Sequence, residues 1–176
     1  MRSKDKRRPG APSLRWVPAR GLKRAYELHS DKGILARLRW AKLFGSLAEA
    51  EHGGQRWSFK RGGFLRPRVT SREQGSDAEV AVLELSWAGS GMLTMHAGTR
   101  FRWKRHGFWG RRFAITDESG SELITFEPKF GLVRRTGAVT TPAKATKMPE
   151  FGLLVTLGWY VILLLADDEA AVVAAG

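Results

Sequence analysis

Four histidines, His29, His52, His96 and His106, are the residues best suited to a transition metal, but none forms a helical i, i+4 pair and the chain has no cysteine to join them. A thiol nucleophile, a disulfide frame and a cysteine-ligated metal are excluded with the cysteines. Ser86, Ser90 and Ser119 stand in no strand–turn–helix setting of the kind that activates a serine. Gly89-Ser90-Gly91 falls between two strand patterns, where glycine serves a hairpin rather than a phosphate loop. Asp117-Glu118 sits in a turn, where exposed acids are ordinary. Asp167-Asp168-Glu169 offers oxygen atoms to a hard cation, yet consecutive residues at a helix end point in different directions and the twelve-residue loop with its glycine is missing. No catalytic group, metal site or cofactor is assigned, and the chain reads as a non-enzyme.

The positive signal is cationic. Arg56 and Lys60 share the polar face of one strand pattern, Arg66, Arg68 and Arg72 that of a second, and Arg100, Arg102 and Lys104 that of a third. With Trp57, Phe59, Phe101 and Trp103 turned into a core, these eight side chains project outwards and are the candidate ligands for an anionic partner. Of the net charge of +13, +10 lies in residues 1–42, where thirteen Lys and Arg face only Asp5, Glu27 and Asp31. Such a surface attracts polyanions as a class: anionic phospholipid, nucleic acid or an acidic protein. An ordinary solvated exterior with a charged tail has the same composition.

These side chains need elements to hold them. Residues 1–24, rich in Arg, Lys, Pro and Gly with Trp16 and Val17 as the apolar exception, read as a basic flexible leader, with one domain over 25–176. Ile34, Ala36, Leu38 and Trp40 alternate with Arg37 and Arg39 after the turn Asp31-Lys32-Gly33, which favours strand over helix for the Ile34–Glu51 region, and His52-Gly53-Gly54 signals a hairpin. Period-two patterns follow at Gln55–Arg61, Arg66–Glu73, Val80–Trp87, Met92–Ala97, Arg100–Lys104, Arg111–Asp117, Ser121–Glu127, Leu132–Thr136 and Ala138–Thr141, with Pro128 and Gly137 as punctuation. With three strands before Gln55 the total is about twelve.

The period then changes. Pro149 and Glu150 suit a helix start, and Phe151–Ala166 is apolar on every helical face, giving a helix over about 149–166 with Asp167-Asp168-Glu169 emerging into water. Sixteen apolar residues span about 24 Å, short of the roughly 30 Å hydrocarbon slab of a bilayer. About twelve strands with one apolar face each also need a packing partner, and a barrel of that many strands has a lumen too wide for its own side chains. A central helix fills it, so no transmembrane span is expected.

About twelve strands followed by an oily C-terminal helix, with Trp57-Ser58-Phe59-Lys60 leading into a Gly-Gly turn and the run Leu153–Leu165, resembles the tubby C-terminal fold of tubby-like proteins, phospholipid scramblases and LURP-one-related proteins. The resemblance covers about Ala25–Ala166 and implies a mainly β, closed antiparallel barrel around the buried helix. It further implies phosphoinositide binding through basic side chains, without a residue-by-residue match; the calcium dependence of some scramblases does not carry over. The expectation is a cytoplasmic protein, lacking a secretory signal, that associates peripherally with anionic phospholipid membranes. The alternatives are a nucleic-acid-binding module, with Phe108 and Trp109 as stacking, membrane-dipping or barrel-closing rings, and a structural or protein-interaction barrel.

Overall fold

A computed structural model describes residues 13–63, 66–106, 111–131 and 134–176. Twelve strands run in chain order: β1 (Leu14–Pro18), β2 (Ala25–Ser30), β3 (Gly33–Trp40), β4 (Ala48–His52), β5 (Gln55–Gly62), β6 (Arg68–Glu73), β7 (Glu79–Leu85), β8 (Gly91–Met95), β9 (Arg100–His106), β10 (Arg112–Thr116), β11 (Glu122–Phe130) and β12 (Arg135–Thr140). Each pairs antiparallel with its neighbours in sequence, and β1 pairs with β12 through Leu14↔Val139 and Trp16↔Gly137, so the sheet closes into a barrel. After a 3-10 turn at Ala145–Lys147, the helix α1 (Phe151–Ala175) runs through the barrel.

Alternation does the sorting. Trp57 and Phe59 on β5, Phe101 and Trp103 on β9, and Ala36, Leu38 and Trp40 on β3 are all buried, while the charged residues between them face out. A two-residue turn at Gly53-Gly54, both with positive φ, joins β4 to β5, the backbone that a tight hairpin compatible with strand twist requires. The strand reading of Ile34–Glu51 is correct for β3 and β4, separated by an irregular connection at 41–47.

Inside, fourteen consecutive residues of α1, Phe151–Leu164, are buried. A free amphipathic helix buries one stripe; here every face meets a barrel strand. The fit is close enough to exclude side chains at particular points. A Cβ on Gly158 would lie 2.4 Å from the ring of Phe126, and one on Gly137 of β12 would lie 2.5 Å from Trp159. The Trp159 ring stacks on Trp16 at 5.9 Å between centroids, and Tyr160 stacks on Trp40 at 5.3 Å. The helix is long and apolar enough to cross a membrane by composition, but 78% of its most apolar window is buried within the barrel.

Several expectations need correction. Order does not begin near Ala25: β1 is an integral barrel strand, with Trp16 fully buried, so residues 14–24 belong to the domain and not to a leader. Only two of its side chains, Leu14 and Trp16, point into the core, too short a pattern to stand out among Arg and Pro. The separate patterns at Leu132–Thr136, of which Leu132 and Val133 lie outside the described residues, and at Ala138–Thr141 meet in the single strand β12, with Gly137 inside it, opposite Pro128 of β11. Pro128 lies beyond the last β10–β11 partner, Phe113↔Phe126, so it forfeits no bond on that side. One strand missed and one split leave the expected number unchanged. Trp87, whose parity in the Val80–Trp87 pattern puts it on the inward face with Leu83 and Leu85, lies past the end of β7 and is 81% exposed. The helix does not stop at Ala166 but continues to Ala175.

Candidate anionic-surface interface

The eight cations singled out by alternation do point outwards, but they do not form one site. Arg56 and Lys60 lie on β5, Arg68 and Arg72 on the adjacent β6, and Arg66 in the β5–β6 connection. Arg100, Arg102 and Lys104 lie on β9, beyond β7 and β8. Half of them are answered by acids on neighbouring elements. Arg56 pairs with Glu51 at 3.3 Å, Arg68 and Arg72 share Glu79 at 3.2 and 3.5 Å, and Arg100 faces Glu118 at 3.8 Å. Lys60, Arg66, Arg102 and Lys104 make no ion pair among the described residues. The wall over β2–β5 is neutralised in the same way, by Arg37 between Glu27 and Glu51 and by Arg39 with Glu49 at 2.7 Å. These are cross-strand pairs set by register, which strand alternation alone does not reveal.

The strongest charge cluster lies where α1 leaves the barrel. Arg24 and Arg135 both bind Asp167, Arg61 binds Asp168, and Arg105 binds Glu169, with Arg24–Asp167 at 2.9 Å and Arg105–Glu169 at 2.6 Å. Consecutive helical residues point about 100° apart, so the three acids reach arginines on different sides of the rim. This corrects the expectation that they simply emerge into water. Because α1 continues past them, they also escape the last turn, where the helix dipole disfavours carboxylates. Arg24 holds two further partners, donating to the Leu43 carbonyl at 2.8 Å and lying 4.7 Å from the centroid of Trp40. Spacing along the sequence could not have found this collar, because its arginines come from four separate regions of the chain.

The two ends of the barrel differ in charge. At the exit end, the connections 19–24, 41–47, 63–67, 86–90, 107–111 and 131–134 contain seven Lys or Arg and no acid. At the other end, the connections 31–32, 53–54, 74–78, 96–99 and 117–121 hold Asp31, Asp77, Asp117 and Glu118 against Lys32, and 141–150 adds Lys144, Lys147 and Glu150. A shallow cleft of about 850 Å³ on the outer face, lined by Arg15, Arg20, His29, Arg134 and Glu27 among others, extends the basic character from the exit end along β1.

Among the described residues the barrel interior is closely packed around α1. Between Leu157 and Gly158 and the facing Leu83, Leu93, Trp103 and Ile115 there remains a void of about 10 Å³, room for one water at most. His29 pairs with Glu27 at 3.0 Å and His106 approaches Glu122 at 3.8 Å, while His52 meets Phe151 edge-on. Partial burial holds the His52 imidazole below its ordinary pKa. The Asp117 carboxyl is held down chiefly by the Ser119 hydroxyl that donates to it at 2.6 Å, and Glu122 by the Arg112 guanidinium at 2.7 Å. Among the described residues no three His, Asp or Glu side chains converge on a metal-sized site. Phe108 and Trp109 lie outside the described residues, as do 1–12 of the basic leader. No protein-family model, no curated protein and no solved structure matches the chain, so its architecture stands on its own geometry.

Proposed function

We propose that this chain is a non-enzymatic, cytoplasmic protein of the tubby C-terminal-like kind that associates peripherally with anionic phospholipid surfaces. The observation that carries the reading is the acid-free, cation-bearing set of connections at one end of a barrel whose wall cations are partly neutralised. Each Lys or Arg close to an anionic leaflet contributes about 1 kcal/mol. Excluding Arg24, which is engaged by Asp167, six cations there supply up to about 6 kcal/mol, enough for reversible docking without a dedicated pocket. The filled interior fits this, because a binding role for this barrel must use its outside.

Co-sedimentation with vesicles of increasing phosphatidylserine content tests the reading. Binding rises with anionic lipid and collapses in high salt, as exposed charges beyond a Debye length are screened. Equal retention on pure phosphatidylcholine, or salt-sensitive retention on nucleic acid with none on anionic vesicles, refutes it.

A further inference from the structure

The apolar surface is as lopsided as the charge. Among the described residues ten large hydrophobic side chains are exposed, and eight of them lie at the end where α1 emerges; the exceptions are Ile34 and Leu35 on β3. Two are aromatic rings held clear of the protein by anchored loops. Phe44 is 87% exposed, yet its loop is tied down on both sides: Arg24 donates to the Leu43 carbonyl, Tyr160 donates to the Ser46 carbonyl, and the Ala41 amide donates to the Leu47 carbonyl at 2.9 Å. Trp87 is 81% exposed in a turn closed by the Ser86 amide on the Ser90 carbonyl at 2.7 Å, with Trp103 Nε1 donating to the Gly89 carbonyl at 3.0 Å. The barrel presents these rings to the outside instead of folding them in.

The helix adds a third projection. Beyond Glu169, residues 170–175 continue α1 with no charged side chain and with Val172 and Val173 largely exposed. Six helical residues rise about 9 Å, which matches the roughly 5–10 Å depth at which apolar faces sit in the headgroup and acyl boundary of a bilayer. The arginine–carboxylate collar lies just behind, at the level where the polar headgroups would begin.

We infer that the exit end is a membrane-docking face, on which Phe44, Trp87 and the 170–175 helix tail enter the interface of an anionic bilayer while the surrounding lysines and arginines meet its phosphates. The inference rests on the proposed lipid association and fixes its orientation: the barrel stands end-on, with its acid-bearing end away from the membrane. Charge complementarity selects the lipid surface as occupant. The apolar tips share this end with Arg20, Lys23, Lys42 and Arg134, whose connections carry no acid; Asp167, Asp168 and Glu169 are bound in the collar, and Glu84 near the end of β7 is exposed on the wall below. Aromatic rings flanked by cations suit the boundary between headgroup and hydrocarbon.

Because the chain has no cysteine, single-site labelling tests this directly. Phe44→Cys and Val173→Cys at the exit end, Thr94→Cys on the outer wall, and Asp77→Cys and Glu118→Cys at the opposite end would each carry an environment-sensitive fluorophore. Vesicles of phosphatidylcholine with about a third phosphatidylserine are then added. Blue-shifted emission and quenching by brominated lipid are expected at 44 and 173 and at none of the other three positions. The unlabelled double variant Phe44→Ser, Trp87→Ser should bind at least about tenfold more weakly, since two exposed rings are lost, with unchanged circular dichroism and melting temperature. Vesicle binding with the label at 94 shifting and those at 44 and 173 silent, or with the double variant binding like the native chain, overturns the docking face and leaves lipid association standing. Absence of native-chain binding at every anionic content overturns both.

Discussion

Single atoms decide how the plug fits. Replacing Gly158 by alanine puts a methyl group 2.4 Å from the ring of Phe126, itself fully buried. The helix would gain about 1 kcal/mol in propensity, but overpacking a filled core costs about 1–3 kcal/mol. Gly158→Ala should therefore lower stability in a urea titration, and Phe126→Leu placed beside it should restore part of the loss; an alanine variant as stable as the native chain would show that the helix and β11 are less closely packed. Tyr160 acts through ionisation instead. Burial pushes its phenol from 10.0 up to about 12. The unfolded chain therefore releases this proton near pH 10 while the folded chain keeps it until about 12, so stability contributed by the neutral phenol is present below pH 10 and is lost as pH rises across that window. Tyr160→Phe should flatten the fall in stability between pH 10 and 12, with Tyr26, also raised by burial, leaving a residual slope. Identical slopes in the two proteins would contradict the burial of that hydroxyl. Neither contact was visible in the sequence, which shows that glycine and tyrosine occur in an apolar run but not which ring each one meets.

Elements were legible in proportion to the length of their pattern. On β5 and β9, period-two alternation placed the inward aromatics correctly, because each offers two large apolar residues on one face; on β7 the same pattern ran past the strand end and put Trp87 inside, where it does not lie. β1 offers two inward side chains in five residues, and the helix past Ala166 is interrupted by three acids, so hydropathy alone marked neither. The same acids show why the helix continues: four rim arginines hold its exit segment in place. These ion pairs are partly exposed, at 25–34% for the arginine side chains, and are each worth at most about 1 kcal/mol. Asp167→Asn should thus leave the global unfolding midpoint nearly unchanged while accelerating amide hydrogen exchange in residues 167–175. Protection there equal to that of the native chain would mean that the collar does not hold the tail.

At the scale of the molecule, closure depends on β1 bridging β12 and β2. A chain starting at Ala25, the boundary that composition suggests, would expose both edges and uncover the Trp159 ring that Trp16 stacks upon. It should aggregate or melt well below the full chain, since exposed sheet edges pair between molecules; a monomer with native melting temperature would refute the role of β1. The outward direction of the eight candidate cations was readable from parity. Their partial neutralisation was not, because Glu51, Glu79 and Glu118 reach them across strands or connections that only the folded register brings together. Nor was the contrast between the barrel ends, which requires knowing which turns share an end. The position of α1 after all twelve strands has a temporal side. During synthesis the wall of the cylinder leaves the ribosome before its filling does, so greasy inner surfaces lie open until the final helix is delivered. Early chains should lean on chaperones, and completion of the fold must wait for that last segment to thread inside.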